Sequence, residues 1–438
     1  METKDRLVIV VVILGWIGVG GVIAWALLHF GASIWTGEDS WWIAPTAIGI
    51  IALFTIWGVD VLVRVKKLRT EGPLPRSLRK PAKVMIAAVS LLFFVTGASL
   101  SLGIGIEYVG ARLDYERARG LLTDPNWVAD ANRTSRRDSI RGVMADYDLE
   151  PRLNGGGPGA DARVDIGELI HNCENMSVNC YHFLIWHRST DWEDFQDFVI
   201  AAESSSILMA RNFTCWLYLV PPSESDSKQS EPYGMDYIAW MNHSAQFSKL
   251  HPIVTAVCID DFYGATENRA LFTPEYLESM RATADFYDPS LALVGCLYWS
   301  DVDPAREIET WRQAARIAPY IDGILYPYMD ESVHHQNHVY TGSLAEEIHR
   351  VNDVFPGIPA ILDIYVSKHS ACAELPSAIY VGALLDGSRT CCDGVALYCG
   401  PKRWSNGTFG PWHGGMQDPA AIYAAIQSRF TIWTTEGW

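Results

Sequence analysis

From residue 140 onward the chain repeats one unit: a short apolar run of strand character, then a longer segment whose apolar residues recur at helical spacing. The runs are 140–148, 180–188, 215–222, 254–261, 291–301, 322–330, 360–368 and 393–400. Between them lie helical stretches such as "DWEDFQDFVIAAES", "TPEYLESMRATADFY", "REIETWRQAARIA" and "SLAEEIHRVNDVF", and "DPAAIYAAIQSRF" closes the series. Eight alternating units predict a (β/α)8 barrel, a TIM barrel, over residues 138–438, with functional groups at the carboxyl ends of the strands. A doubly wound open sheet is the alternative, but no glycine-rich phosphate loop follows the first run.

The first quarter of the chain is patterned differently, because its apolar stretches are continuous. Residues 7–29, 44–63 and 84–106 are each long enough to cross a hydrocarbon core of about 30 Å as a helix. The first exceeds the apolar core of a signal peptide and has no small-residue cleavage site after it, so three retained transmembrane helices are expected. The loop "RVKKLRTEGPLPRSLRKPAK" carries eight Lys/Arg and one Glu, whereas "GASIWTGEDSWW" carries two acids and no base. The positive-inside rule puts the basic loop and the amino terminus in the cytoplasm and the barrel outside, in a multi-pass protein of the cell membrane. Residues 107–137, beginning with the charged amphipathic "EYVGARLDYERARGLL", read as a stalk. Three spans where one would anchor leave room for an unidentified partner in the membrane.

Charge adds to this picture: residues 107–438 hold 24 Lys/Arg and 45 Asp/Glu, a net −21 that argues against nucleic acid as a ligand. All nine cysteines fall after residue 170, an odd number in a compartment that permits disulfides, and no CxxC pair suggests zinc. Five Asn-x-Ser/Thr sequons, at Asn132, Asn175, Asn212, Asn242 and Asn406, suit an exported glycoprotein.

Alternation along the strands then proposes which side chains point to the barrel axis. On the fourth run Val257 and Ile259 face the helices and Ala256, Cys258 and Asp260 the axis, with Asp261 at the rim. On the sixth, taking Leu325, Pro327 and Met329 as the outward set turns Tyr326, Tyr328 and Asp330 inward, with Glu331 following. The seventh offers Asp363, Tyr365 and Ser367, and the eighth Tyr398. The second offers Trp186 and Arg188, the third Tyr218 and the fifth Tyr298. The first offers either Tyr147 or the pair Asp146 and Asp148. Lys368 ends the seventh run. The expected mouth is a ring of carboxylates and tyrosines. Paired carboxylates in an aromatic pocket are what glycoside hydrolysis needs, one as proton donor and one as nucleophile or base.

The strand ends "GVMADYD", "VCIDDF", "DGILYPYMDE" and "DGVALYC", with "FTPEYLESMRA" after the fourth, resemble those of (β/α)8 glycoside-hydrolase-like domains over roughly residues 138–430. The resemblance implies a carbohydrate substrate and a double displacement. By position, Asp260 or Asp261 would be the nucleophile and Asp330 the acid/base, with Glu331 as its substitute. Asp146, Asp148, Trp186, Arg188, Tyr218, Tyr298, Tyr326, Tyr328, Asp363, Tyr365, Lys368 and Tyr398 would line the substrate site. No cofactor motif is present, and His334, His335 and His338 in "MDESVHHQNH" lack a third metal ligand at suitable spacing. A carbohydrate-binding module without turnover, or a metal-dependent hydrolase using these histidines, are the alternative functions.

Overall fold

The computed structural model describes residues 107–438, apart from 148–149, 154–162, 187, 225–230, 335 and 410–414. The three expected membrane spans lie outside the described residues, and among the described residues no helix is long and apolar enough to cross a membrane.

Eight parallel strands close into a barrel in sequence order: β1 (Met144–Tyr147), β2 (Cys180–Ile185), β3 (Thr214–Leu219), β4 (Val254–Ile259), β5 (Ala292–Cys296), β6 (Gly323–Tyr328), β7 (Ala360–Tyr365) and β8 (Gly394–Tyr398). Each falls within its expected run, save that β3 starts one residue early. β1 pairs with both β2 and β8, so the sheet has no free edge.

Helices follow the strands because their starts are capped and their apolar faces complete the layer outside the barrel. Thr273 accepts from the Tyr276 amide ahead of helix Pro274–Tyr287, and Asp418 does the same for Ala421 ahead of helix Pro419–Glu436. The main core lies between barrel and helices, where Val257, Ile259, Leu293, Leu362, Ile364 and Leu397 are fully buried. Burial of each such side chain stabilises the fold by roughly 1.5–3 kcal/mol.

The barrel interior is a second, smaller core. Its small residues, Ala145, Ala256, Ala292 and Ala396, leave room for the stacked rings of His182 and Trp216, whose centroids lie 4.2 Å apart. Residues 107–122 form a helix. Its Tyr115 stacks on Trp311 and donates to the Asp353 carbonyl at 2.9 Å.

Candidate active site

The mouth is built by how strands end. β4 runs to Ile259, the Asp260 amide still continues the ladder by donating to the Leu219 carbonyl, and Asp261 then turns the chain with φ +39°. Left-handed backbone is least costly for Gly, Asn and Asp, which is a local reason for an acid at that point. Asp330 after β6 (φ +56°) and Cys399 after β8 (φ +58°) make similar turns.

Asp260 emerges half-buried at the axis. Its Oδ1 accepts from Tyr218 Oη at 2.8 Å and from the Asp261 amide at 3.0 Å. The Tyr218 ring stacks on Tyr147 at 5.1 Å, and Tyr147 Oη donates to Asp363 Oδ2 at 2.6 Å. Two carboxyl groups on β4 and β7 are thereby connected through two stacked tyrosines. Asp363 is 1 % exposed, and its Oδ1 has no partner among the described residues. Burial pushes its carboxyl up to about 8; the Tyr147 hydrogen bond opposes the rise and the charge of Asp260 adds to it. Asp363 is therefore a protonated acid at neutral pH beneath a half-exposed one.

Around this pair Trp186, Tyr298 and Tyr398 are half-buried and pack against the barrel interior, with Tyr365 buried beside Tyr298 and Tyr398; Arg188, Glu331 and Lys368, which follow β2, β6 and β7, are also half-buried. Tyr365 meets Tyr398 edge-on at 5.1 Å. Burial raises Glu331 above the usual carboxyl range; its Gln336 hydrogen bond opposes this, while Glu347, Asp301 and Asp303 add to it. Asp301 caps the turn after β5 by accepting from the Tyr298 amide at 2.9 Å, and burial holds it up at about 6, with Asp261 contributing.

Three expected residues face the other way. On β6 the inward set is inverted: Leu325 belongs to the barrel interior, whereas Tyr326 and Tyr328 lie in the outer core. The strand carries aliphatic residues on both faces, Ile324 and Leu325, so hydrophobicity could not set its phase. The outer tyrosines are satisfied by the helix Leu344–Val354 and its cap, Tyr326 Oη donating to Glu347 at 2.7 Å and Tyr328 Oη lying 3.0 Å from Ser343 Oγ.

Asp330 follows its strand outward and is 1 % exposed. It accepts from Ser343 Oγ, from His334 Nδ1 at 2.6 Å, from Tyr328 Oη at 3.1 Å and from Asn337 Nδ2 at 3.3 Å. Burial opposes its ionisation, but these donors outweigh burial and hold the carboxyl below its ordinary value. A carboxylate so held is a structural acceptor, and the expected acid/base role of Asp330 is withdrawn.

Asp146 also leaves the mouth. Tyr147 takes the inward position on β1, and Asp146 pairs with buried Lys402 and accepts from the Gly400 amide at 3.2 Å. A side chain at Gly400 would drive into that carboxylate. Asp148 and His335 lie outside the described residues. His334 is spent on Asp330, while His338 Nε2 accepts from the His369 amide at 3.0 Å, so the two histidines serve separate networks.

No protein-family model and no curated protein matches the chain. Among solved structures it is similar to the endo-β-1,4-mannanase of Thermotoga petrophila (11% identity over 68% of this chain and 78% of that one, TM-score 0.43). It is also similar to the catalytic domain of the hyperthermophilic chitinase of Pyrococcus furiosus (12% identity, 67% and 96%, TM-score 0.44) and to a GH5-4 broad-specificity endoglucanase of Clostridium longisporum (12% identity, 68% and 98%, TM-score 0.41). The closed eight-strand topology itself identifies the (β/α)8 fold.

Of the two inward sets that alternation allows on the first run, the structure selects Tyr147, and it adds His182 and Trp216, which alternation did not single out. His182 shares its parity with Trp186 on the second run, which was the available signal. Burial holds its imidazole down at about 3, so it is neutral and serves as an aromatic filler beneath Tyr147.

Proposed function

We propose that the protein is a glycoside hydrolase held at the outer face of a membrane by its three amino-terminal spans, acting on polysaccharide or glycan with retention of configuration. Asp260 attacks the anomeric carbon, and Glu331 protonates the leaving oxygen and then activates water. The observation that carries this reading is the half-exposed Asp260 carboxylate at the axis, oriented by the Tyr218 hydroxyl, whose ring stacks on Tyr147. Burial disfavours ionisation of Glu331, which suits it to the proton-donor role. Trp186, Tyr298 and Tyr398 offer faces on which sugar C–H groups pack, and Asp261, Arg188 and Lys368 would bind hydroxyl groups.

The test is reducing-end release from a panel of β- and α-linked polysaccharides by the full chain, with Asp260→Asn and Glu331→Gln beside it. Loss of turnover with binding retained supports the assignment; unchanged turnover in Asp260→Asn overturns it. A carbohydrate-binding barrel without turnover is the second reading, favoured by the removal of Asp330 from the mouth. It predicts glycan binding and no product from the wild-type chain.

A further inference from the structure

On the face of the barrel opposite the mouth, helix Ala378–Cys391 ends in two adjacent cysteines before β8 begins at Gly394. Their sulfurs lie 3.7 Å apart, and both residues are half-exposed. The other seven cysteines are buried. In the folded protein this pair is therefore the reachable thiol chemistry.

The separation is informative. Two sulfurs bound at about 2.3 Å to one centre lie about 3.7 Å apart at a tetrahedral angle and about 3.3–3.5 Å apart at the narrower angle of a pyramidal trivalent centre, so the pair needs to close by only a few tenths of an ångström to share one. A disulfide usually spans Cα atoms about 4.4–6.8 Å apart, whereas neighbours across a trans peptide are held at about 3.8 Å, so a bond between them would be strained. Adjacent cysteines are thus better arranged to share a third atom than to bond to each other.

The backbone holds them in that attitude. The Cys392 amide donates to the Ser388 carbonyl at 2.8 Å, and the Cys392 carbonyl accepts from the Trp438 indole at 3.5 Å. Among the described residues no third His, Cys, Asp or Glu completes a metal cluster here. A ligand must then bring its own remaining substituents.

We propose that Cys391 and Cys392 form a two-sulfur site for a trivalent arsenical or a like thiophilic centre. For a hydrated monosubstituted arsenical, both thiol protons leave with the two hydroxyl groups as water and two As–S bonds form; arsenic stays trivalent and no electron is transferred. The hydrogen bond from Cys392 holds the Cys391 thiol below its ordinary value against the opposing effect of burial, and the same bond raises Cys392. Cys391 is then the sulfur that attacks first.

The experiment is titration of the full chain with phenylarsine oxide, followed by maleimide labelling, unfolding and peptide mapping. One equivalent should bind, protect Cys391 and Cys392 together, and be displaced by ethanedithiol. Cys391→Ser and Cys392→Ser should each weaken binding about 100-fold, the loss of a two-point attachment, whereas Cys372→Ser should not. Protection of only one of the two cysteines in the wild-type chain, or equal affinity in either serine variant, overturns the proposal. The protection map uses the unmodified protein and so does not depend on how the variants fold.

Discussion

β4 and β6 end in nearly the same way, an apolar strand running into two acids, "CIDDF" and "YMDES", yet the two ends do opposite things. After β4 the first acid, Asp260, still follows the inward phase of its strand and reaches the axis, and the second makes the left-handed turn. After β6 the first acid, Asp330, itself makes the turn, lies on the helix side and is enclosed by four donors, and the second, Glu331, is half-buried. A one-residue difference in phase moves a carboxylate from a site open to ligand into the packing between strand and helix. The difference teaches that an acid at a barrel strand end is a candidate only once the phase of its strand is known.

The comparison is broken most directly by exchanging function for stability. Asp260→Asn should lower turnover by roughly 10⁴-fold while leaving the midpoint of urea unfolding nearly unchanged, since the Asn Oδ1 can still accept from Tyr218 and the Asp261 amide. Comparable turnover in Asp260→Asn and wild type would erase the distinction between the two ends.

Asp363, beneath Asp260, gives the pH test. Its folded value of about 8 lies above that of an unfolded aspartate, so between these values the native state holds a proton that the unfolded state has lost. Its contribution is complete at low pH and declines as pH rises towards 8, by at most about 1.4 kcal/mol per pH unit. Asp363→Asn should remove this decline, and unfolding curves of variant and wild type at pH 5 and 8 measure the difference. Parallel behaviour at the two pH values would mean that Asp363 ionises normally in its buried place.

Asp330→Ala should show the reverse of Asp260→Asn, costing about 3 kcal/mol of stability because several buried donors lose their acceptor. Turnover by the folded fraction should stay within a few-fold of wild type.

The smallest effects sharpen the contrast. Tyr326→Phe removes the hydrogen bond to buried Glu347 and should cost about 1–2 kcal/mol in unfolding experiments without altering turnover. Tyr218→Phe should cost less stability and slow turnover about 10-fold, through loss of the group that orients Asp260.

Much of the architecture was legible because it depends on periodicity alone. All eight strands match runs read from the chain, β3 starting one residue early, and the inward placement of Ala256, Cys258, Tyr218 and Asp363 follows from a clear division between aliphatic and other positions. β6 failed where that division failed, because "GILYPY" has apolar or aromatic side chains on both faces. Asp146 failed for another reason: its partner, Lys402, is more than 250 residues away, and a buried ion pair at that separation leaves no local mark.

By itself, then, the amino-acid sequence determined the eight strand–helix units, the acid-rich strand ends and the adjacency of Cys391 and Cys392, all consequences of short-range spacing. Only the tertiary structure decided which acids face the axis, that Tyr147 and Tyr218 connect Asp363 to Asp260, and that two neighbouring sulfurs stand half-exposed at a shared-ligand separation. Those features depend on the phase of each strand in the closed barrel and on partners brought together from distant parts of the chain, and neither is fixed by local propensity.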